Sequence, residues 1–111
     1  MAFRMTEQAY LVLLVLGEGP RHGYAIVQGV AELTDGRVRL GAGTLYGVLD
    51  RLVEAGYARV SGEEVIDGRL RRYYALTDEG GAAAAVHTKQ MAALLVRARR
   101  ALAPRPALGG A

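Results

Sequence analysis

Apolar residues recur along the chain with two different periods, and the stretch from Gly41 to Leu52 shows the first of them most clearly. Leu45, Val48, Leu49 and Leu52, continued by Val53, fall at i, i+3, i+4, i+7 and i+8, which predicts a helix with one core-facing stripe. Its opposite face carries Gly43, Gly47, Asp50 and Arg51, with Thr44 and Tyr46 at the edges. A face that is small in its first turn and ends in an arginine is shaped to lie against a large polar surface, so the stretch reads as a DNA recognition helix.

The same period predicts two helices upstream. Thr6 is a suitable N-cap, with Glu7 and Gln8 in the first turn of a helix that runs to Leu16 and is ended by Gly17. Apolar residues nearly encircle this helix, which places it at the centre of the domain. Pro20 restarts the chain, and a second helix follows from about His22 to Leu33, with Tyr24, Ile26, Val27, Val30 and Leu33 as a partial stripe. Gly23 and Gly29 weaken it by up to about 1 kcal/mol each relative to alanine, which points to close helix packing at both. Thr34 to Arg37 forms a turn and Val38 to Leu40 a short extended piece. The order is that of a helix-turn-helix with one preceding helix.

After Gly56 the period changes to two. Tyr57 to Val60 and Arg69 to Leu76 read as strands, joined by a flexible hairpin tip from Ser61 to Gly68. Alternation puts Leu70, Tyr74 and Leu76 on one face and Arg69, Arg71 and Tyr73 on the other, with Arg72 on the apolar side. This hairpin is the wing. Thr77 then caps a helix, with Asp78 and Glu79 complementing its positive end. It continues to about Leu102, with Met91, Leu94, Leu95, Ala98 and Leu102 on one side. Roughly 25 residues at 1.5 Å each make a rod near 37 Å long, more than so small a domain covers, and the exposed stripe is expected to pair with a second copy. Pro104 and Pro106 stop it.

The expected fold class is mainly α with a small antiparallel β-hairpin: a winged helix-turn-helix domain over 1–77, a C-terminal dimerisation helix over 78–103 and a disordered tail over 104–111. The 111 residues suit one domain. The absence of cysteine excludes disulfides and thiolate catalysis and suits a reducing compartment. Net charge is +3, and arginine supplies every basic residue except Lys89. Arg69, Arg71 and Arg72 cluster in one segment, diluted by Glu63, Glu64 and Asp67. His22 and His87 have no metal-ligand spacing, and His87 with Met91 reads as packing, so no metal and no cofactor is expected. No nucleophile lies beside a base and there is no phosphate loop, which argues against an enzyme. The apolar run from Ala9 to Leu16 is too short to cross a bilayer and lacks a cleavage site, so a cytoplasmic protein without a membrane partner is expected.

Five motifs in order, Gly19-Pro20-Arg21-His22-Gly23-Tyr24-Ala25-Ile26, Gly43-Thr44-Leu45-Tyr46, Arg51-Leu52, Gly56-Tyr57 and Arg71-Arg72-Tyr73-Tyr74-Ala75-Leu76-Thr77, resemble the PadR family of bacterial transcriptional regulators. The resemblance covers about Met5 to Gly80. It implies a winged helix-turn-helix that binds DNA and a C-terminal dimerisation helix. Where the family often has proline after Gly-Thr-Leu-Tyr, this chain has Gly47.

The candidate DNA-binding residues are Gly43, Thr44, Tyr46, Gly47 and Arg51 on the recognition helix, His22 before the second helix, and Arg69, Arg71, Arg72 and Tyr73 on the wing. Each has a structural alternative. Thr44 supports the first turn or meets a phosphate or base edge; Tyr46 is a half-buried core tyrosine or a backbone contact. Arg51 pairs with Asp50, Glu54 or Glu7, or with phosphate. The wing arginines are a solvated charge run or phosphate contacts. His22 caps and packs or touches the sugar-phosphate backbone, while Tyr24 is expected to pack. The function expected is a homodimeric repressor on a pseudo-palindromic double-stranded operator, released by a small-molecule effector. The competing reading is a winged-helix protein-interaction or effector-sensing module with weak or no specific DNA binding.

Overall fold

The computed structural model describes residues 3–106. The first helix, α1 (Glu7–Leu16), starts where Thr6 accepts the Ala9 backbone N–H at 3.1 Å and ends at Gly17. Its burial is nearly all-round, with Ala9, Tyr10, Leu11, Val12, Leu13, Val15 and Leu16 inside. Each large aliphatic side chain among them contributes about 1.5–3 kcal/mol by leaving water, so α1 is the post on which the other elements pack.

A two-residue strand, β1 (Arg21–His22), leads directly into α2 (Gly23–Leu33). The His22 Nδ1 accepts the Ala25 N–H at 3.3 Å and caps α2. Thr34 closes the helix by donating to the Val30 carbonyl at 2.9 Å and accepting from the Val38 N–H at 3.0 Å. Asp35 and Gly36 take positive φ values of 51° and 80° to make the reversal into α3 (Ala42–Glu54). Leu45, Val48, Leu49 and Leu52 of α3 are buried as expected, but Val53 is 38% exposed. A fifth stripe position at i+8 has drifted away from the core-facing line on a 3.6-residue helix.

Gly56, at φ +80°, turns the chain into β2 (Ala58–Ile66), which pairs antiparallel with β3 (Arg69–Leu76). The expected loop from Ser61 to Gly68 is instead mostly strand. Asp67 and Gly68, both at positive φ (52° and 76°), form the whole turn, the backbone that an Asp-Gly pair favours in a two-residue hairpin. Ser61 is accommodated as a bulge between Val60 and Gly62. The expected hairpin is also the larger part of a three-stranded sheet of order β1-β3-β2, with Arg21 opposite Tyr74 and His22 opposite Tyr73. A two-residue strand leaves no periodic signal, which is why the chain pattern shows only the hairpin. The even face of β3 is apolar only at its base: Tyr74 is buried, but Leu70 is 59% exposed because the wing projects beyond the core.

The last helix, α4 (Asp78–Ala101), begins at Thr77, whose hydroxyl accepts the Gly80 N–H at 3.0 Å, and carries Asp78 and Glu79 in its first turn and Arg99 and Arg100 in its last. Gly80 and Ala84 are its buried residues. Met91, Leu94 and Leu95 are exposed in the single chain, Ala98 is half-buried, and Leu102 stands just past the helix end, exposed. Residues 104–106 follow without regular structure, and the expected tail over 107–111 lies outside the described residues. None of the described helices is long and apolar enough to cross a membrane.

Candidate nucleic-acid interface

The helix-turn-helix presents one surface because α2 packs closely on both of its neighbours, and two glycines permit it, Gly29 against α1 and Gly23 against α3. A Cβ on Gly29 would stand 2.7 Å from Val15 Cγ1, so its absence lets α2 settle onto α1. A Cβ on Gly23 would stand 2.6 Å from the Tyr46 hydroxyl, so the first residue of α2 makes room for a side chain of α3. Both are the close-packing positions expected from the pattern.

The exposed face of α3 carries Gly43, Thr44, Tyr46, Asp50 and Arg51, with Gly47 partly covered. Nothing lies within 4 Å of where a Gly43 Cβ would be, and only the Arg51 guanidinium approaches the corresponding point at Gly47, at 3.8 Å. Arg51 therefore lies back along the helix toward its N-terminus, the usual direction for a long side chain on a helix. It has no carboxylate partner among the described residues; Glu7, one of its expected partners, is paired with Arg37 at 3.3 Å.

The wing curls toward the start of α2 and encloses a cleft of about 570 Å3 between them. His22, Tyr24 and Tyr46 line it from one side and Arg69, Arg71 and Arg72 from the other. Tyr73 joins the two sides by setting its ring against the His22 imidazole, centroids 5.5 Å apart and planes at 79°. Seven residues from three separate parts of the sequence thus meet, while Gly43, Thr44, Gly47 and Arg51 extend the surface along α3. Tyr24 is the correction here. It is 69% exposed, not packed, and accepts a hydrogen bond from Gln28 Nε2 at 3.2 Å. Its place in the first turn of α2 points it over the cleft and away from the stripe of Ile26 and Val30, a distinction a partial stripe does not make.

Two wing carboxylates, Glu63 and Glu64, are already engaged, while Asp67 lines the cleft together with the arginines. Arg72 Nε donates to Glu63 Oε1 at 3.1 Å, and the Tyr73 hydroxyl donates to Glu64. Register explains both, since Glu63 lies opposite Arg72 and Glu64 opposite Arg71. The Glu64 bond pushes the Tyr73 phenol above its ordinary pKa. Arg69 and Arg71 are left without an ion-pair partner among the described residues. Burial, and then the Arg71 charge, hold the His22 imidazole below its usual pKa, which keeps Nδ1 free to accept the α2 cap bond. A cleft with two free guanidiniums, several hydroxyls and a neutral imidazole suits phosphate oxygens, while the bare face of α3 suits a groove.

At the other end of α3, Arg51 and Glu54 line a second open cleft with Phe3, Arg4 and Tyr57. Arg4 is a cation beside the recognition helix that carries no pattern in the sequence, being a single residue before α1.

Comparison with known proteins bears on the family and the fold. The model of the transcriptional regulator PadR-like family matches residues 12–86. An uncharacterised protein of Lysinibacillus sphaericus is 35% identical over 77 residues, covering 65% of this chain and 66% of that protein. The chain spans only 14% of the length of a second curated relative. Among solved structures, a PadR family transcriptional regulator from Eggerthella lenta superposes with a TM-score of 0.71 at 29% identity, covering 88% of this chain and 86% of its own. A transcriptional regulator from Clostridium thermocellum shares the fold, with a TM-score of 0.73 at 24% identity over 86% of this chain and 92% of that one.

Proposed function

The chain belongs to the PadR-like family of transcriptional regulators, and on that premise we propose that it acts as a homodimeric repressor that binds a pseudo-palindromic DNA operator. The observation that carries the proposal is the convergence of His22, Tyr24 and Tyr46 with the wing guanidiniums of Arg69 and Arg71 around one cleft, at the end of the bare face of α3. Two recognition helices, one from each protomer, enter successive major grooves about 34 Å apart. Gly43, Thr44 and Gly47 face base edges, with Arg51 beside them. His22, Tyr24, Tyr46, Tyr73 and the wing arginines hold the flanking backbone, which carries no sequence information and sets register.

The stripe of exposed Met91, Leu94 and Leu95 with half-buried Ala98, continued by exposed Leu102, supports pairing with a second copy, since contiguous apolar residues on one side of a projecting helix are a partner surface. A small-molecule effector would release the operator by favouring a different separation of the two DNA-binding units, weakening affinity by its own preference for that state.

Selection of bound sequences from a random duplex pool, with sedimentation of the free protein, tests the proposal. Enrichment of an inverted repeat by a dimer is expected. Placing arginine at both Leu94 and Leu95 buries unpaired charge in the interface and is expected to yield folded monomers that bind single half-sites weakly. A dimer mass unchanged by that substitution, or affinity for random duplex that is negligible at every salt concentration, favours an interaction module instead.

A further inference from the structure

We propose that the hydrogen bond between Tyr10 of α1 and Thr88 of α4 sets the tilt of α4 against the DNA-binding unit, and with it the spacing between operator half-sites that the protein accepts. The inference rests on the dimeric reading above and adds to it the residues that fix the geometry.

Helix α4 is held to the rest of the chain at two places. The first is its start. Thr77 donates to the Gly56 carbonyl at 2.6 Å while capping the helix, and Gly80 lies so close to the Tyr57 carbonyl that no Cβ fits between them. The second is two turns further on. Tyr10, 9% exposed, places its hydroxyl 2.6 Å from Thr88 Oγ1. Thr88 gives its own proton to the Ala84 carbonyl at 2.8 Å, so Tyr10 is the donor between the two hydroxyls. The His87 ring packs against Tyr10, centroids 4.7 Å apart and planes at 62°. Between the two attachments only the small Ala84 is buried, and an alanine methyl restrains distance without restraining direction. Beyond Thr88 no described residue of α4 is buried.

A rod fixed at a pivot and at one point beyond it has its direction set by the second point. The 24 residues of α4 span about 36 Å, and a tilt of about 6° moves the far end by nearly 4 Å. That is on the order of one base-pair step of 3.4 Å. If the outer half of α4 pairs with its twin, the same tilt sets how far apart the two recognition helices stand. Tyr10 and Thr88 are positioning residues: neither is exposed at the cleft, and both act through the angle between α1 and α4.

The test uses duplexes built from the half-site the wild-type protein selects, with the separation shortened and lengthened by one and two base pairs. Thr88→Val and Tyr10→Phe remove the bond with little change of shape, and Thr88→Ser keeps the hydroxyl. Both bond-breaking variants are expected to sediment as dimers and to keep the half-site sequence. Their preference for the best spacing over the next should fall about threefold to tenfold, the span that one hydrogen bond covers. Thr88→Ser should keep the wild-type profile. A wild-type spacing profile in dimeric Thr88→Val and Tyr10→Phe overturns the inference, as does an equal loss at every spacing, which marks a structural contact only. A wild-type protein that is monomeric or selects single half-sites overturns the dimeric reading and the inference together.

Discussion

The hydroxyl of Tyr46 fills the space that a side chain on Gly23 would need, so the first residue of α2 and the recognition helix share one volume. Gly23→Ala is expected to leave thermal stability within about 1 kcal/mol, because alanine favours the helix by a similar amount and the half-exposed Tyr46 ring can swing outward. DNA affinity should nonetheless fall about tenfold as Tyr46 leaves the cleft wall, roughly the 1.4 kcal/mol of one charge-assisted contact. Adding Tyr46→Phe to Gly23→Ala removes the clashing oxygen and should cost less than the sum of the two changes. Melting curves and titration by fluorescence anisotropy measure both terms; unaltered affinity in Gly23→Ala would show that the position of Tyr46 does not matter.

In the proposed complex, Glu63 competes with DNA for Arg72. The pair is half-exposed and contributes on the order of 0–1 kcal/mol in water, yet a phosphate must displace or share it. Glu63→Gln is expected to raise affinity for every sequence severalfold and to steepen the salt dependence by about one unit of log–log slope per protomer. Arg69→Ala with Arg71→Ala should flatten that slope for operator and random duplex alike. An effect confined to the operator would mean that the wing reads bases.

Gly47 has open space around it, with only the Arg51 guanidinium 3.8 Å from where a Cβ would stand. Gly47→Leu is therefore expected to fold at least as well as the natural chain, gaining up to about 1 kcal/mol of helix propensity. It should bind operator far more weakly, because the leucine holds the α3 backbone and Arg51 away from the groove floor. Gly47→Ala separates the two effects. Full operator affinity in the leucine variant would show that close approach is not the purpose of the glycine.

His22 links stability to pH. Burial and the Arg71 charge lower its pKa in the folded chain below the ordinary 6.5, so the unfolded chain binds more protons in the interval between the two values. Its contribution to stability is complete above pH 6.5 and is lost as pH falls through the lower, folded value. Protonation also ends the acceptance of the Ala25 N–H by Nδ1. His22→Asn keeps an N-capping oxygen and does not titrate, so melting temperatures of that variant should lose this part of their pH dependence as pH falls below 6.5. The same slope in both proteins would assign the effect elsewhere.

Helices α1, α2 and α4 were legible because each carries its own start and stop, Thr6 and Gly17, His22 and Thr34, Thr77 and the prolines after Leu102, and α3 because of its apolar stripe. The alternating β3 residues were legible for the same local reason. What was not legible depended on pairing. Arg21 and His22 become a strand only because β3 runs beside them, and Gly62 to Ile66 join β2 because the Asp67-Gly68 turn is tight enough to bring them opposite Arg69 to Tyr73, with Ser61 left as the bulge. The exposure of Tyr24 follows from its place on α2 away from buried Ile26 and Val30, which a partial stripe leaves open. His22, Tyr46 and Arg71 each lie in a motif visible in the sequence, whereas their meeting in one cleft required the fold.

The burial along α4 has a consequence for how the protein responds to its own abundance. Everything up to Thr88 is anchored on α1 and the sheet, so that part of the structure belongs to the single molecule. The outer 13 residues of α4, from Lys89 to Ala101, have no such anchor. In the dimer proposed above, their exposed apolar side is covered only when two chains meet. With the dimer as the operator-binding species, occupancy below the dimerisation midpoint rises with the square of the protein concentration. A regulator built this way changes from idle to engaged over a narrow range of expression level, without any ligand.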